Sequence, residues 1–282
     1  MTNSYLNIVT FFLTTLFYYM ALKPSLPYSL YNNKEQYKIY ISNNYMYLAI
    51  YVLLVILIQF MVNSSIISSN CGGNITENIG VAGVLTFLPW ILIFGILVIV
   101  LTIYPGFKSA FSDVVGYFYV SSSANKIITE LLINKDIEKK IIEDPNMTPE
   151  KKEALENAAD VIIKICGNTS ILINQIVPNN FDYYWDILKP LMKDKYKMDS
   201  PETNKIKNDL FELVVTRDNV GEAMWYIYTG LLLTSIVQLK ITTRGCANNP
   251  STMQANYQKF LKKEEEEKEK QETTQTTYTI TT

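Results

Sequence analysis

Histidine is absent from this chain of 282 residues. That removes His-dependent catalytic triads, imidazole metal sites and a histidine pH switch. Cysteine is scarce: Cys71, Cys166 and Cys246 stand far apart with no C-x-x-C pair, so zinc and redox motifs are missing. There is no Gly-rich phosphate loop and no G-x-S-x-G elbow. Charged residues make up 18% of the chain, against roughly 25% in an ordinary soluble domain. A net charge of −2 and a pI near 5.4 give no electrostatic footprint for nucleic acid. The expectation is a protein that is not an enzyme and uses no catalytic residues, metal or cofactor.

The charges that exist are unevenly placed. Of 25 basic and 27 acidic residues, only Lys23, Lys34, Lys38, Lys108, Glu35, Glu77 and Asp113 fall within residues 1–125. A spanning helix needs about 20 mainly apolar residues, because lipid cannot satisfy stray backbone groups. Tyr45–Val62 and Val81–Ile103 meet that requirement strongly. Tyr5–Leu22 is more polar, with Asn7, Thr10, Thr14 and Thr15, and reads as a retained first span, with a signal-like leader as the alternative. Ala223–Leu239, between Glu222 and Lys240, is a slightly short fourth span. Within the spans Asn7, Gln59 and Gln238 are the strongly polar groups.

Pro89 predicts a kink in the third span, and Pro105-Gly106 a break after it. Trp90, Tyr104, Trp225, Tyr226 and Tyr228 are expected as interfacial anchors. Phe107–Val120 is aromatic but too polar to span. An interfacial helix fits it, and packing on a soluble domain is the alternative. Ser64–Gly80 reads as a tight polar hairpin connection.

Residues 121–221 carry helical periodicity with start signals at Thr148-Pro149 and Ser200-Pro201, and no alternating strand pattern. Carboxylate pairs such as Asp182 and Asp186 read as a solvated face. The reading is an all-α integral membrane protein with about four transmembrane helices and a small helical soluble domain inserted between spans three and four. The membrane region is 1–120, with spans at about 5–22, 45–62 and 81–103 and an interfacial segment at 107–120. The soluble domain is 121–221, the fourth span 222–241, and residues 242–282 form a charged, partly disordered tail. In the tail, Glu264–Lys268 and Glu266–Lys270 are helical i, i+4 pairs in the favoured order.

Lys23, Lys34 and Lys38 in the first connection predict that it stays cytosolic, as does the helical domain. Lys240 and Arg244 argue against the matching assignment of the tail. In either orientation four spans put Cys71 and Cys246 on one side and Cys166 on the other. Cys71 and Cys246 lie just beyond their spans, where a disulfide could form; three unpaired thiols are the alternative in a reducing compartment. The sequons at Asn63 and Asn74 lie so near the bilayer that neither is expected to be glycosylated.

Leu88–Val120, where a proline-containing span runs into Pro-Gly-Phe-Lys and an aromatic Gly-Tyr segment, resembles multi-span membrane proteins of nucleocytoplasmic large DNA viruses, in the phycodnavirus and mimivirus lineage. Trp225–Cys246, a Thr-Gly-x-Leu span ending in a cysteine and a charged tail, is similar to them as well. The resemblance implies a structural or assembly component of the virion's internal membrane, or of host endoplasmic-reticulum-derived membrane at the assembly site. Its expected partners are the lipid bilayer and other viral membrane, capsid or core proteins. An entry or fusion component and a hydrophobically gated viroporin are the alternatives.

Overall fold

A computed structural model describes residues 5–71, 75–132, 169–243 and 250–275. Helix dominates them, and their only β feature is an isolated bridge between Leu132 and Met192. Helix α1 is Leu6–Phe17, extended by a π-helical turn at Tyr18–Leu22. Pro24 stops it, leaving Lys23 in the extended conformation that a residue before proline prefers. Helix α2, Lys34–Cys71, starts where Asn33 Oδ1 accepts from the backbone N–H groups of Glu35 and Gln36. It holds the 45–62 span but extends beyond it at both ends, so the expected hairpin connection is largely helix. Length of helix and length of apolar run are different quantities: the flanking Asn, Ser and Tyr residues are polar without breaking a helix.

Helix α3 covers Ile75–Pro89, a wide π-helical segment follows at Trp90–Gly95, and α4 continues over Ile96–Ile103. Proline lacks an N–H and its ring displaces the preceding carbonyl, so the ladder widens where Pro89 sits. A 3₁₀ turn, Pro105–Lys108, and a short irregular helical run lead into α5, Tyr117–Leu131. The helices α6, Thr169–Gln175, and α7, Phe181–Leu188, precede α8, a single helix of 43 residues from Pro201 to Thr243. Ser200 caps α8 by accepting from the Thr203 N–H at 3.1 Å, with Pro201 in the first turn. Helix α9, Pro250–Gln275, carries the charged tail and its exposed Glu264–Lys268 pair. Residues 133–168, which hold Thr148-Pro149 and Cys166, lie outside the described residues, as do Asn74, Arg244, Cys246 and the side chain of Lys270.

Three helices are long and apolar enough to cross a membrane: Lys34–Cys71, Asn78–Ile103 and Pro201–Thr243. Leu6–Leu22 is a shorter apolar helix. In the first two, only 28% of the apolar window is buried, so most of it faces outward. Leu53, Leu57, Leu88, Ile96 and Ile99 are among the exposed side chains. A water-soluble monomer rarely exposes contiguous apolar surface on that scale. These helices suit a lipid solvent.

The chain divides into two compact units. One comprises Met1–Phe11, Leu54–Leu92 and Leu231–Thr282. Phe11 packs on Trp90 with ring centroids 5.4 Å apart, and Phe60 on Phe87 at 5.1 Å. Ile66, Ala82 and Val237 bury a small apolar core there.

The other unit comprises Phe12–Leu53 and Ile93–Gly230. Its core gathers Val120, Ile128, Leu172, Trp185, Leu210 and Val214 with Leu26 from the first connection. Tyr28 and Tyr31 pack on Phe211 at 5.5 and 4.9 Å. The helical core therefore reaches beyond 121–221 and incorporates the residues that follow α1.

Candidate functional site

Two polar constellations stand out, one in each unit. The first is uncharged and joins four helical segments. Asn7 Nδ2 donates to Asn63 Oδ1 at 2.9 Å and to Gln238 Oε1 at 3.2 Å. Gln59 Nε2 donates to the Asn7 carbonyl at 3.0 Å and to Thr10 Oγ1 at 3.3 Å. Asn63 Nδ2 donates to Thr86 Oγ1 at 2.8 Å. Asn7, Gln59 and Gln238, the three strongly polar residues of the apolar runs, thus meet. Each contributes from a different helix, and α3 adds Thr86. In lipid such groups have no water to turn to, so pairing across helices fixes which faces meet. Asn63 is almost wholly buried in this seam, which leaves no room for a glycan in the folded chain.

The second constellation is ionic. Lys23, just past α1, and Lys108, the last residue of the 3₁₀ turn, converge on one face of α8. Lys23 Nζ and the Tyr19 hydroxyl both donate to Glu222 Oε1, the latter at 3.0 Å. Lys108 Nζ reaches Glu222 Oε2 at 2.7 Å and Asp218 Oδ2 at 3.1 Å. Asp218 and Glu222 are one helical turn apart, so a single ammonium can bridge them. The four side chains are between 8% and 16% exposed, and their charges sum to zero. Burial alone would lower the Lys108 pKa, but Glu222 and Asp218 outweigh it and hold the ammonium above the ordinary lysine value. Lys23, buried with Glu222 as its one close carboxylate, is pushed below that value.

Arg217, fully buried beside this cluster, donates through Nη1 to the Ile173 carbonyl and lies 4.0 Å from Asp113 Oδ1. Its backbone passes so close to Gly116 that a Cβ there would sit 2.5 Å from the Arg217 carbonyl oxygen. At Gly221 a Cβ would lie 2.6 Å from Ser112 Cβ. These two glycines let the segment after Lys108 lie directly on α8, which brings Lys108 to Glu222.

A cavity of about 240 Å³ opens beside the cluster. Lys23, Lys108, Asp218 and Glu222 line it, with Tyr40 and Asn44 from α2 and Pro105 and Gly106 at the chain break. Among the described residues no group of three or more Cys, Asp or Glu side chains is arranged to hold a metal ion.

The expected anchors divide. Tyr104 and Tyr228 are exposed, and Trp225 is half-buried with its Nε1–H donated to the Phe107 carbonyl. Trp90 and Tyr226 are wholly buried and serve as packing residues instead: Tyr226 lies against Tyr51 and Phe94 at 5.7 and 5.6 Å. An aromatic ring near a span end can face either way, and sequence position does not separate the two. Cys71 is engaged in a disulfide; its expected partner, Cys246, lies outside the described residues. The ion cluster escaped the sequence reading. Its signal was there: Lys23, Lys108 and Glu222 are among the charges that border apolar runs.

Comparison with protein-family models, with curated proteins and with solved structures finds no match.

Proposed function

We propose that the chain is a four-span structural or assembly protein of a membrane, holding its helical domain against the bilayer surface for partner proteins to bind. The observation that carries this reading is the pairing of polar side chains across its helices. The asparagines and glutamines of the apolar helices bond across to one another, and the cations at their ends are matched by carboxylates. Such an arrangement favours one fixed packing, as an anchor requires, over a hydrated path. Tyr5–Leu22 counts as the fourth span on this reading because Asn7 is tied to helices that are themselves apolar enough to cross. The exposed Phe107, Val114 and Phe118 would lie among the lipid headgroups beside the helical domain.

The membrane proposed is a virion's internal membrane or the host-derived endoplasmic reticulum membrane at the assembly site, following the resemblance to giant-virus membrane proteins. The decisive experiment is proteomics of intact against detergent-stripped particles, after alkaline carbonate extraction has separated membrane from soluble fractions. The chain is expected in the membrane pellet and in intact particles, and to leave particles only with detergent. Recovery in the soluble fraction would overturn the membrane assignment. Its absence from particles, with ion flux in proteoliposomes, would replace the structural role by a channel.

A further inference from the structure

We infer that the first half of α9 docks on an anionic lipid surface, that of the bilayer α8 crosses; this rests on the membrane reading above. The first argument is the pattern on the helix. Tyr257, Phe260 and Leu261 recur at i, i+3 and i+4, so they share one face of α9. All three are exposed, Tyr257 and Phe260 at 63% each, so the described chain leaves that face uncovered. Lys259, Lys262 and Lys263 lie around the other side, exposed and in no ion pair among the described residues. Aromatic and aliphatic side chains on one face with lysines on the other suit a helix lying in the headgroup plane.

The second argument is charge. From Lys240 to Lys263 the chain carries five cations, Lys240, Arg244, Lys259, Lys262 and Lys263, and no acidic side chain. Such a run directly after a membrane-crossing helix attracts anionic headgroups, each cation adding to the hold. The balance then reverses, because Glu264–Glu267 are four carboxylates in succession. Glu264 falls on the apolar face one turn after Phe260, so the stripe ends there. Its exposed pair with Lys268, at 3.0 Å, belongs to the half that an anionic surface repels. Docking therefore stops at the Lys263–Glu264 boundary.

The third argument is reach. Helix α8 ends at Thr243, four residues past the apolar run that closes at Leu239, and α9 begins at Pro250. The six residues between them can span at most about 25 Å even when fully extended. The stripe is thus tethered beside the surface. A second copy or a soluble partner must diffuse to it, whereas the lipid is always within reach.

The test uses the full chain in lipid nanodiscs, with backbone hydrogen exchange read by mass spectrometry. One set of discs holds phosphatidylcholine alone and the other adds a minority of phosphatidylserine. Amides of Tyr257–Lys263 are expected to exchange at least about fivefold more slowly with phosphatidylserine, the equivalent of one lysine's attraction. Salt at about 1 M, which cuts the Debye length to about 3 Å, is expected to remove the difference. Equal exchange in the two lipids would overturn the inference. Slowing that appears in detergent as well would also overturn it, assigning the face to a second copy where it rises with protein concentration and to the chain itself where it does not. Lys262→Gln and Lys263→Gln are each expected to weaken docking about fivefold. Phe260→Gln is expected to weaken it further; glutamine is the better helix former, so loss of helix cannot be the cause. A chain that stays soluble without detergent or discs would refute the membrane reading; incorporation with equal exchange would refute the docking alone.

Discussion

The Lys108 ammonium lies 2.7 Å from Glu222 Oε2, both side chains almost wholly shielded from water. Glu222 answers Lys23 as well, so one carboxylate balances two cations. Removing it leaves two buried ammoniums with only Asp218 to face. Glu222→Gln is expected to destabilise the protein by about 3–5 kcal/mol, the usual cost of breaking a buried pair from one side. Glu264→Gln in α9, whose partner Lys268 is exposed, should cost less than about 1 kcal/mol. Thermal unfolding of both variants in detergent checks the contrast, and equal losses would mean that the buried cluster contributes nothing special.

Gly221→Ala is expected to cost about 1–3 kcal/mol, because its methyl group would press on Ser112 and force the two segments apart. Gly80→Ala in α3 meets nothing within 4 Å and should stabilise the helix by up to about 1 kcal/mol. The opposite signs, read from unfolding midpoints, separate close packing from helix propensity.

The apolar runs, the Ser200-Pro201 start of α8 and the break at Pro105-Gly106 were all legible in the sequence, since each is a local pattern. So was the list of polar residues in the apolar helices, though not that Asn7, Gln59 and Gln238 meet. Convergence of Lys23, Lys108, Asp218 and Glu222 has no local signature: ion pairing across distant segments leaves no periodicity. Leu26, Tyr28 and Tyr31 were hidden for a related reason. A short connection between two long apolar runs reads as a loop, yet its aromatic side chains complete the core around Phe211.

The polar seam should be worth little in energy and much in specificity. Asn63→Ala removes the contacts to Asn7 and Thr86 and is expected to cost about 0.6–1.7 kcal/mol, as interhelical hydrogen bonds in membranes do. Denaturation in mixed micelles measures it. A loss several times greater would assign the role of Asn63 to packing.

Strong alkali should loosen the second unit. Burial is the main cause raising Tyr40 from 10.0 to about 12, and it also raises Tyr28, Tyr31 and Tyr37. The folded chain holds these phenolic protons where the unfolded chain releases them, so the stability they contribute is intact below pH 10. It falls as pH rises from 10.0 through about 12 for Tyr40. Lys108, also raised, acts in the same direction. Tyrosinate absorbance followed with helical circular dichroism should show ionisation and unfolding together, and Tyr40→Phe should reduce the alkaline loss.

Cys71 ends α2 and is held in a disulfide. The chain's other cysteines are Cys166 and Cys246, the two candidates for a partner within the chain. On the four-span arrangement proposed above, Cys246 falls on the side of Cys71 and Cys166 in the connection between the third and fourth spans, so Cys246 is the partner that arrangement favours. Cys246→Ser is therefore expected to leave Cys71 open to alkylation under non-reducing conditions, and Cys166→Ser to leave it protected. A membrane-impermeant maleimide applied to sealed, reduced vesicles supplies the independent reading. It should label Cys71 and Cys246 from one side and Cys166 from the other. Protection of Cys71 that survives Cys246→Ser but is lost in Cys166→Ser would reverse the pairing and overturn the proposed placement of the helical domain between a third and a fourth span.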